Sequence, residues 1–296
     1  MTTDTAELAV DVRGLRKRYG DVTAVDGLDL RIRTGEVFGL LGPNGAGKST
    51  TVEILQGNRA RDGGDVTVLG ADPGSAGRGR RSRVGIVWQD ESAPAELTVR
   101  ETVRHFAGYY PTPRDPDRVI ELVGLEKKAN ARIKSLSGGQ RRRLDVALGV
   151  IGDPELLLLD EPTTGFDPAA RRRFWELIRM LADEGTTILL TTHYLEEAEA
   201  LARRLAVIAS GRVVAEGTPA ELRARYGTRA TVEWTEADGT PRSERTDTPT
   251  RAVAELTYRF DGEIPGLRIS RPTLEDVYLR LTGQDRQDRH SQETQR

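Results

Sequence analysis

The sequence predicts an α/β fold, and three of its features carry that expectation. Short apolar strands alternate with amphipathic helical stretches through most of the chain. A Gly-rich loop, "GLLGPNGAGKST", joins one such strand to a helix, and the apolar strand in "ELLLLDEP" ends in two adjacent acids.

Taken in order, runs bounded by Gly, Asp and Pro mark strands at Ala9–Arg13, Leu28–Arg33, Val37–Leu41, Asp65–Leu69 and Arg83–Trp88. Leu156–Asp160, Thr187–Thr191 and Leu205–Ala209 are apolar without alternation, as parallel strands buried on both faces are. Helical periodicity occupies Lys48–Leu55, Val99–Ala107, Asp117–Val123, Gln140–Ile151, Ala169–Asp183 and Tyr194–Ala202. The expected organisation is a principal domain over 8–217, with an N-terminal antiparallel β subdomain and a helical insertion at about 91–150. Beyond it the texture changes. "TVEWTEADGTPRSERTDTPT" is polar and turn-rich, whereas "LRISRPTLEDVYLRLTG" has the pattern of a strand followed by a helix, so a small α+β appendage is placed at 228–283. The polar tail 284–296 is expected to be disordered.

Composition narrows the function. Lys plus Arg number 44 and Asp plus Glu 46, a balance that argues against a surface neutralising a nucleic-acid backbone throughout. Basic clusters at Arg78–Arg83, Arg141–Arg143 and Arg171–Arg173 are local, and the last two fall in helical patterns as solvated faces, so no nucleic-acid partner is expected. The absence of Cys excludes disulfides and thiolate metal sites. The N-terminus "MTTDTAELAV" lacks the basic and apolar segments of a secretory signal. No apolar run approaches the roughly 18 residues that cross a bilayer, so any membrane-spanning part belongs to another chain.

"GPNGAGKST" is a G-x-x-x-x-G-K-S loop in the strand-to-helix context that makes it informative. Gly42, Gly45 and Gly47 let backbone amides turn toward an anion, with Pro43, Asn44, Ala46 and Thr50 completing the cradle, and the helix N-terminus adds partial positive charge. Lys48 is a point charge for terminal phosphates and Ser49 offers a hydroxyl to Mg²⁺, so the chain binds a nucleoside triphosphate. Strand alternation sends Asp160 and Glu161 to opposite sides. Asp160 is then a Mg²⁺ group acting through water, and Glu161 the group that polarises attacking water.

The helix within "SLSGGQRRRLDVALGV" opens on two glycines, although each costs about 1 kcal/mol relative to Ala. Ser137 and Gln140 have capping-box spacing, which leaves a purely structural reading open but does not explain Gly138 and Gly139. Bare amides beside Ser137 make a second anion site. Having one cradle for its own triphosphate, the chain would close the second on the γ-phosphate of a two-fold-related partner's ATP.

"GPNGAGKST", "LSGGQ" and "LLLLDEP", in this order, resemble the nucleotide-binding subunits of ABC transporters over about Val10–Gly217. The resemblance implies ATP and Mg²⁺ as cofactors and further roles: Tyr19 for adenine stacking, with an ordinary core Tyr as the alternative; Gln89 toward Mg²⁺ and water; Asp167 for communication between sites; His193 as the switch toward the γ-phosphate. Phe166 departs from the leucine usual beside that aspartate. The family pattern implies an ATP-hydrolysing motor that works as a homodimer on a separate integral membrane permease, peripheral on the inner face of the cell membrane. "PTLEDVYLRLTG" and "THYLEEAEALARRLAVIASGRVVAEGTPAEL" look like the branch serving drug, antibiotic, lipid or polysaccharide exporters. The alternative is a soluble ABC ATPase acting on ribosomes or DNA. The former usually carries two cassettes and the latter long coiled coils, and the sequence displays neither.

Overall fold

The computed structural model describes residues 7–87, 96–164, 166–227 and 229–283. Two compact units divide the chain, the first ending at Thr218 and the second beginning at Pro219.

In the first unit β1 (Leu8–Tyr19) and β2 (Val22–Arg33) form an antiparallel hairpin. Its two-residue turn, Gly20-Asp21, places Gly20 at φ 56, a region glycine enters without steric cost. After β3 (Val37–Leu41) and α1 (Lys48–Leu55), β4 (Gly63–Val68) pairs with β1 to complete a sheet of order β2-β1-β4. The chain continues through α2 (Arg78–Arg81), β5 (Val84–Val87), α3 (Val99–Ala107), α4 (Pro116–Leu122) and α5 (Gly138–Val150). It then runs through β6 (Leu156–Asp160), α6 (Pro168–Asp183), β7 (Thr187–Thr192), α7 (Leu195–Leu201), β8 (Arg204–Ala209) and β9 (Arg212–Gly217). These strands form a sheet of order β5-β6-β7-β3-β8-β9, parallel except for β9. The α/β class is therefore as the sequence predicts.

The sheet separates two apolar cores, which explains why its strands show no alternation. Leu157 and Leu159 of β6 enter one core, with α3, α4 and α5, while Leu156 and Leu158 enter the other, with α1, β1 and β2. Each such side chain contributes about 1.5–3 kcal/mol by leaving water.

In the second unit, α8 (Pro219–Tyr226) precedes β10 (Ala230–Thr235), β11 (Pro241–Thr246), α9 (Pro249–Arg259), β12 (Arg268–Ser270) and α10 (Leu274–Thr282). Its antiparallel sheet has the order β11-β10-β12, and Val232, Trp234, Ala252, Leu256 and Ile264 form its core. The stretch that looks turn-rich in sequence is thus a hairpin followed by a helix. Every residue of β11 before Thr246 is exposed, so burial imposes no alternation there to read. Among the described residues, no helix is long and apolar enough to cross a membrane.

Candidate functional site

Three neighbouring parallel strands deliver the site. β3 lies beside β7 and β7 beside β6, so their carboxyl ends open on one edge, where α/β sheets bind ligands. β3 leads into the loop Gly42–Thr50, β6 ends at Asp160, and β7 ends at Thr192, one residue before His193.

The loop's shape is imposed by backbone packed against it. Gly47 enters α1 at φ 104, where a Cβ would lie 2.5 Å from the Ala24 carbonyl oxygen; at Gly42 a Cβ would lie 2.6 Å from that of Ile208. Gly211, in the turn between β8 and β9, donates its amide to the Ala46 oxygen at 3.1 Å and accepts from the Asp26 amide at 2.9 Å. Pro43 is half-buried, Asn44 and Gly45 are exposed, Ala46 is buried, and Ser49 and Thr50 stand on the first turn of α1 with Ser49 exposed. No side chain among the described residues caps that turn, so its amides and the helix dipole are available to an anion. The Lys48 Nζ, buried, donates to the carbonyls of Gly42 at 2.7 Å and Pro43 at 3.2 Å. Burial pushes its pKa down, and the charges of Glu161 and Asp160 oppose that shift.

Asp160 and Glu161 hold different side-chain partners, and strand alternation does not arrange them. Glu161 has left the strand at φ 45, and its amide donates to both the carbonyl and the hydroxyl of Thr191, each at 3.1 Å. The Thr191 hydroxyl in turn donates to Asp160 Oδ1. The Glu161 carboxylate is set between two side chains, 3.8 Å from Lys48 Nζ and 3.2 Å from His193 Nδ1. That brings three of the sequence-selected groups, Lys48, Glu161 and His193, to one point. Ser49 and Asp160 supply the hard oxygen donors that Mg²⁺ takes, and a cation that fills its remaining positions with phosphate oxygens and water needs no cage of protein ligands. Those two residues fit that ion. Gln89 lies outside the described residues.

Tyr19 ends β1 with 39% of its surface exposed, beneath the guanidinium of Arg59 at 5.1 Å and the ammonium of Lys17 at 5.6 Å. It is not a core tyrosine. Asp167 caps α6 by accepting from the Ala170 amide at 2.8 Å. Phe166 packs edge-on against Phe174 with ring centroids 5.9 Å apart, an aromatic contact that a leucine could not make.

At the start of α5 the capping box forms in both directions, from the Gln140 amide to Ser137 Oγ at 3.3 Å and from the Ser137 amide to Gln140 Oε1 at 3.0 Å. The box leaves Gly138 and Gly139 unaccounted for. Among the described residues a Cβ on Gly138 meets nothing within 4 Å, and one on Gly139 meets only the Ala170 methyl, at 3.9 Å.

One expectation fails here. The run Arg141–Arg143 is not uniformly a solvated face: Arg142 is 9% exposed. Its Nε donates to the Pro162 carbonyl at 3.0 Å and its Nη2 to the Asp160 carbonyl at 3.0 Å. Burial lowers its pKa, and Asp145, Asp160 and Glu197 act against that. Thr191 is the other contributor that sequence reasoning passed over. Its signal was present in "TILLTTH", where two hydroxyls end an otherwise apolar strand.

The chain is similar to known proteins. The family model described as ABC transporter matches residues 25–164. A Nod factor export ATP-binding protein I from Ralstonia nicotianae is 44% identical over 94% of this chain and 95% of its own. Another from Rhizobium sp. strain N33 is 41% identical over 95% and 99%. Among solved structures, an ATP binding subunit of an ABC transporter superposes with TM-score 0.67 at 25% identity, covering 74% of this chain and 93% of its own. A dimeric structure of a bacterial ABC transporter cassette gives 0.64 at 25%, covering 71% and 98%.

Proposed function

The chain belongs to the ATP-binding subunits of ABC transporters and is an ATPase; from that premise we propose that it is the motor of an exporter. Two copies close on two ATP molecules, hydrolysis reopens them, and a separate membrane permease takes up the motion from the inner face of the cell membrane. Export as the direction rests on relatives named for Nod factor export, and so disfavours a ribosome- or DNA-directed ATPase. The cargo belongs to the drug, antibiotic, lipid or polysaccharide classes. The dimer is supported by a solved cassette described as dimeric.

In this reading the loop Gly42–Thr50 cradles the phosphates and Lys48 exchanges its carbonyl partners for phosphate oxygens. Ser49 and Asp160, joined by Gln89, would hold Mg²⁺, which would neutralise phosphate charge. Glu161 polarises the attacking water, His193 reaches the γ-phosphate, and Tyr19 stacks on adenine. Ser137, Gly138, Gly139 and Gln140 meet the partner's ATP, and Asp167 communicates between the sites. The observation that carries the reading is Glu161, whose carboxylate lies between Lys48 at 3.8 Å and His193 at 3.2 Å at the carboxyl edge of the sheet.

Glu161→Gln tests it. ATP binding should persist while single-turnover hydrolysis falls by about 10² to 10⁴, the usual loss of a general base. Sedimentation with ATP should reveal a trapped dimer. Near-normal turnover rejects Glu161 as the base, and an inactive protein that stays monomeric in ATP rejects the closed pair.

A further inference from the structure

The turn after β6 is conformationally costly. Glu161 at φ 45 occupies a left-handed region that a side-chain-bearing residue enters only at a steric cost, so neighbouring structure must hold it there. On one side Thr191 accepts its amide. On the other, its carbonyl and those of Asp160 and Pro162 point at a single buried group. Arg142 reaches all three, at 3.5 Å to Glu161, 3.0 Å to Asp160 and 3.0 Å to Pro162. A planar guanidinium presents its donors in a rigid fork that suits a run of three carbonyls, whereas an ammonium is a point charge on a flexible stem. Arg142 stands on α5, two residues beyond Gln140, and Asp145 balances its charge from the next turn at 3.8 Å. Behind the same turn Glu197 of α7 is buried beside Thr163, Thr192 and Trp175.

We propose that Arg142 is a positioning residue for hydrolysis: from the helix whose first turn carries Gly138 and Gly139, it fixes the backbone that aims Glu161 within the same subunit. The proposal rests on the reading of Glu161 as the water-polarising group. Because Arg142 grips carbonyls on both sides of Glu161, its loss frees the carboxylate without touching the phosphate cradle. A displacement near 1 Å at a reacting group can cost about 10²-fold.

The test is Arg142→Met, which keeps much of the apolar volume and removes every donor. Its kcat should fall by about 10- to 100-fold while the ATP Kd, measured by equilibrium binding, stays within about twofold. Arg142→Lys should recover part of the rate. In a Glu161→Gln background, adding Arg142→Met should slow residual turnover no further, because a residue acting through Glu161 has nothing left to act on. A wild-type kcat overturns the proposal. So does a loss of kcat and ATP affinity together with a lowered melting temperature, or a fully multiplicative loss in the double variant. If Arg142→Met does not fold, Arg142→Lys decides: reduced kcat at unchanged Kd supports the role, and wild-type kcat removes it. Failure of the underlying reading is seen separately, as near-normal turnover in Glu161→Gln alone.

Discussion

Glycine stands at the start of both α1, as the capping residue Gly47, and α5, as its first two residues, and the surroundings give those glycines opposite meanings. At Gly47 the backbone is left-handed at φ 104 and the Ala24 carbonyl stands 2.5 Å from where a Cβ would go. At Gly138 a Cβ would touch nothing within 4 Å among the described residues, and at Gly139 only a methyl at van der Waals distance. The first helix needs glycine to exist in its place. The second would be a better helix without it, since Ala exceeds Gly by about 1 kcal/mol in helical propensity. Glycines that no neighbour among the described residues demands are what the proposed contact with a partner's ATP would require.

Substitution at each start can break or sharpen that contrast. The largest effect belongs to Gly47→Ala, which should lose ATP binding by 100-fold or more and destabilise the unit by about 1–3 kcal/mol, because strain and a backbone clash act together. Isothermal titration and thermal melting measure both. Wild-type affinity in that variant would mean the loop relaxes freely, and the contrast would collapse. Next comes Gly139→Ala. Its monomer should be as stable as the parent or up to about 1 kcal/mol more so, with ATP affinity unchanged, while ATP-dependent dimerisation and hydrolysis collapse. A parallel fall in melting temperature and ATP affinity would return these glycines to the subunit's own fold. A smaller, sharper effect should appear on mixing Gly139→Ala with Lys48→Ala subunits. One composite site then carries both defects and the other neither, so the mixture should recover up to about half the parental hydrolysis, whereas each variant alone recovers none. Absence of recovery would place the two lesions in different sites, one in each subunit. The smallest effect concerns Tyr19→Ala, which should weaken ATP binding several-fold, consistent with loss of a stacking surface worth about 0.5–1.5 kcal/mol, and leave melting unchanged. Unaltered affinity would remove the adenine role.

Legibility followed burial. Strands packed on both faces, such as Val37–Leu41 and Leu156–Asp160, and the helix Val99–Ala107, with its capping box, are placed to the residue by their patterns. β1 and β2 extend well beyond their expected ends, because register shifts along the hairpin interrupt alternation between Val12 and Arg18. β11 and α9 escape notice for a related reason: the strand is exposed on both faces, and the helix buries only Ala252 and Leu256. Within the candidate site, Lys48, both acids and His193 are legible because each lies in a contiguous motif. Arg142 is not. One arginine among three in a row becomes distinctive only when a turn twenty residues further on folds over it.

The hydrogen bond from the Gly211 amide to Ala46 gives the phosphate-binding loop a built-in clock. That amide can trade its hydrogen for deuterium only when the β8–β9 turn and the loop part company, so its exchange rate reports the loop's opening free energy without nucleotide, partner or turnover. Protection at Gly211 should match that of the buried β3 amides if the loop opens only with global unfolding. Faster exchange there would reveal a local opening confined to the edge where β9 runs against its neighbours, and would give its population.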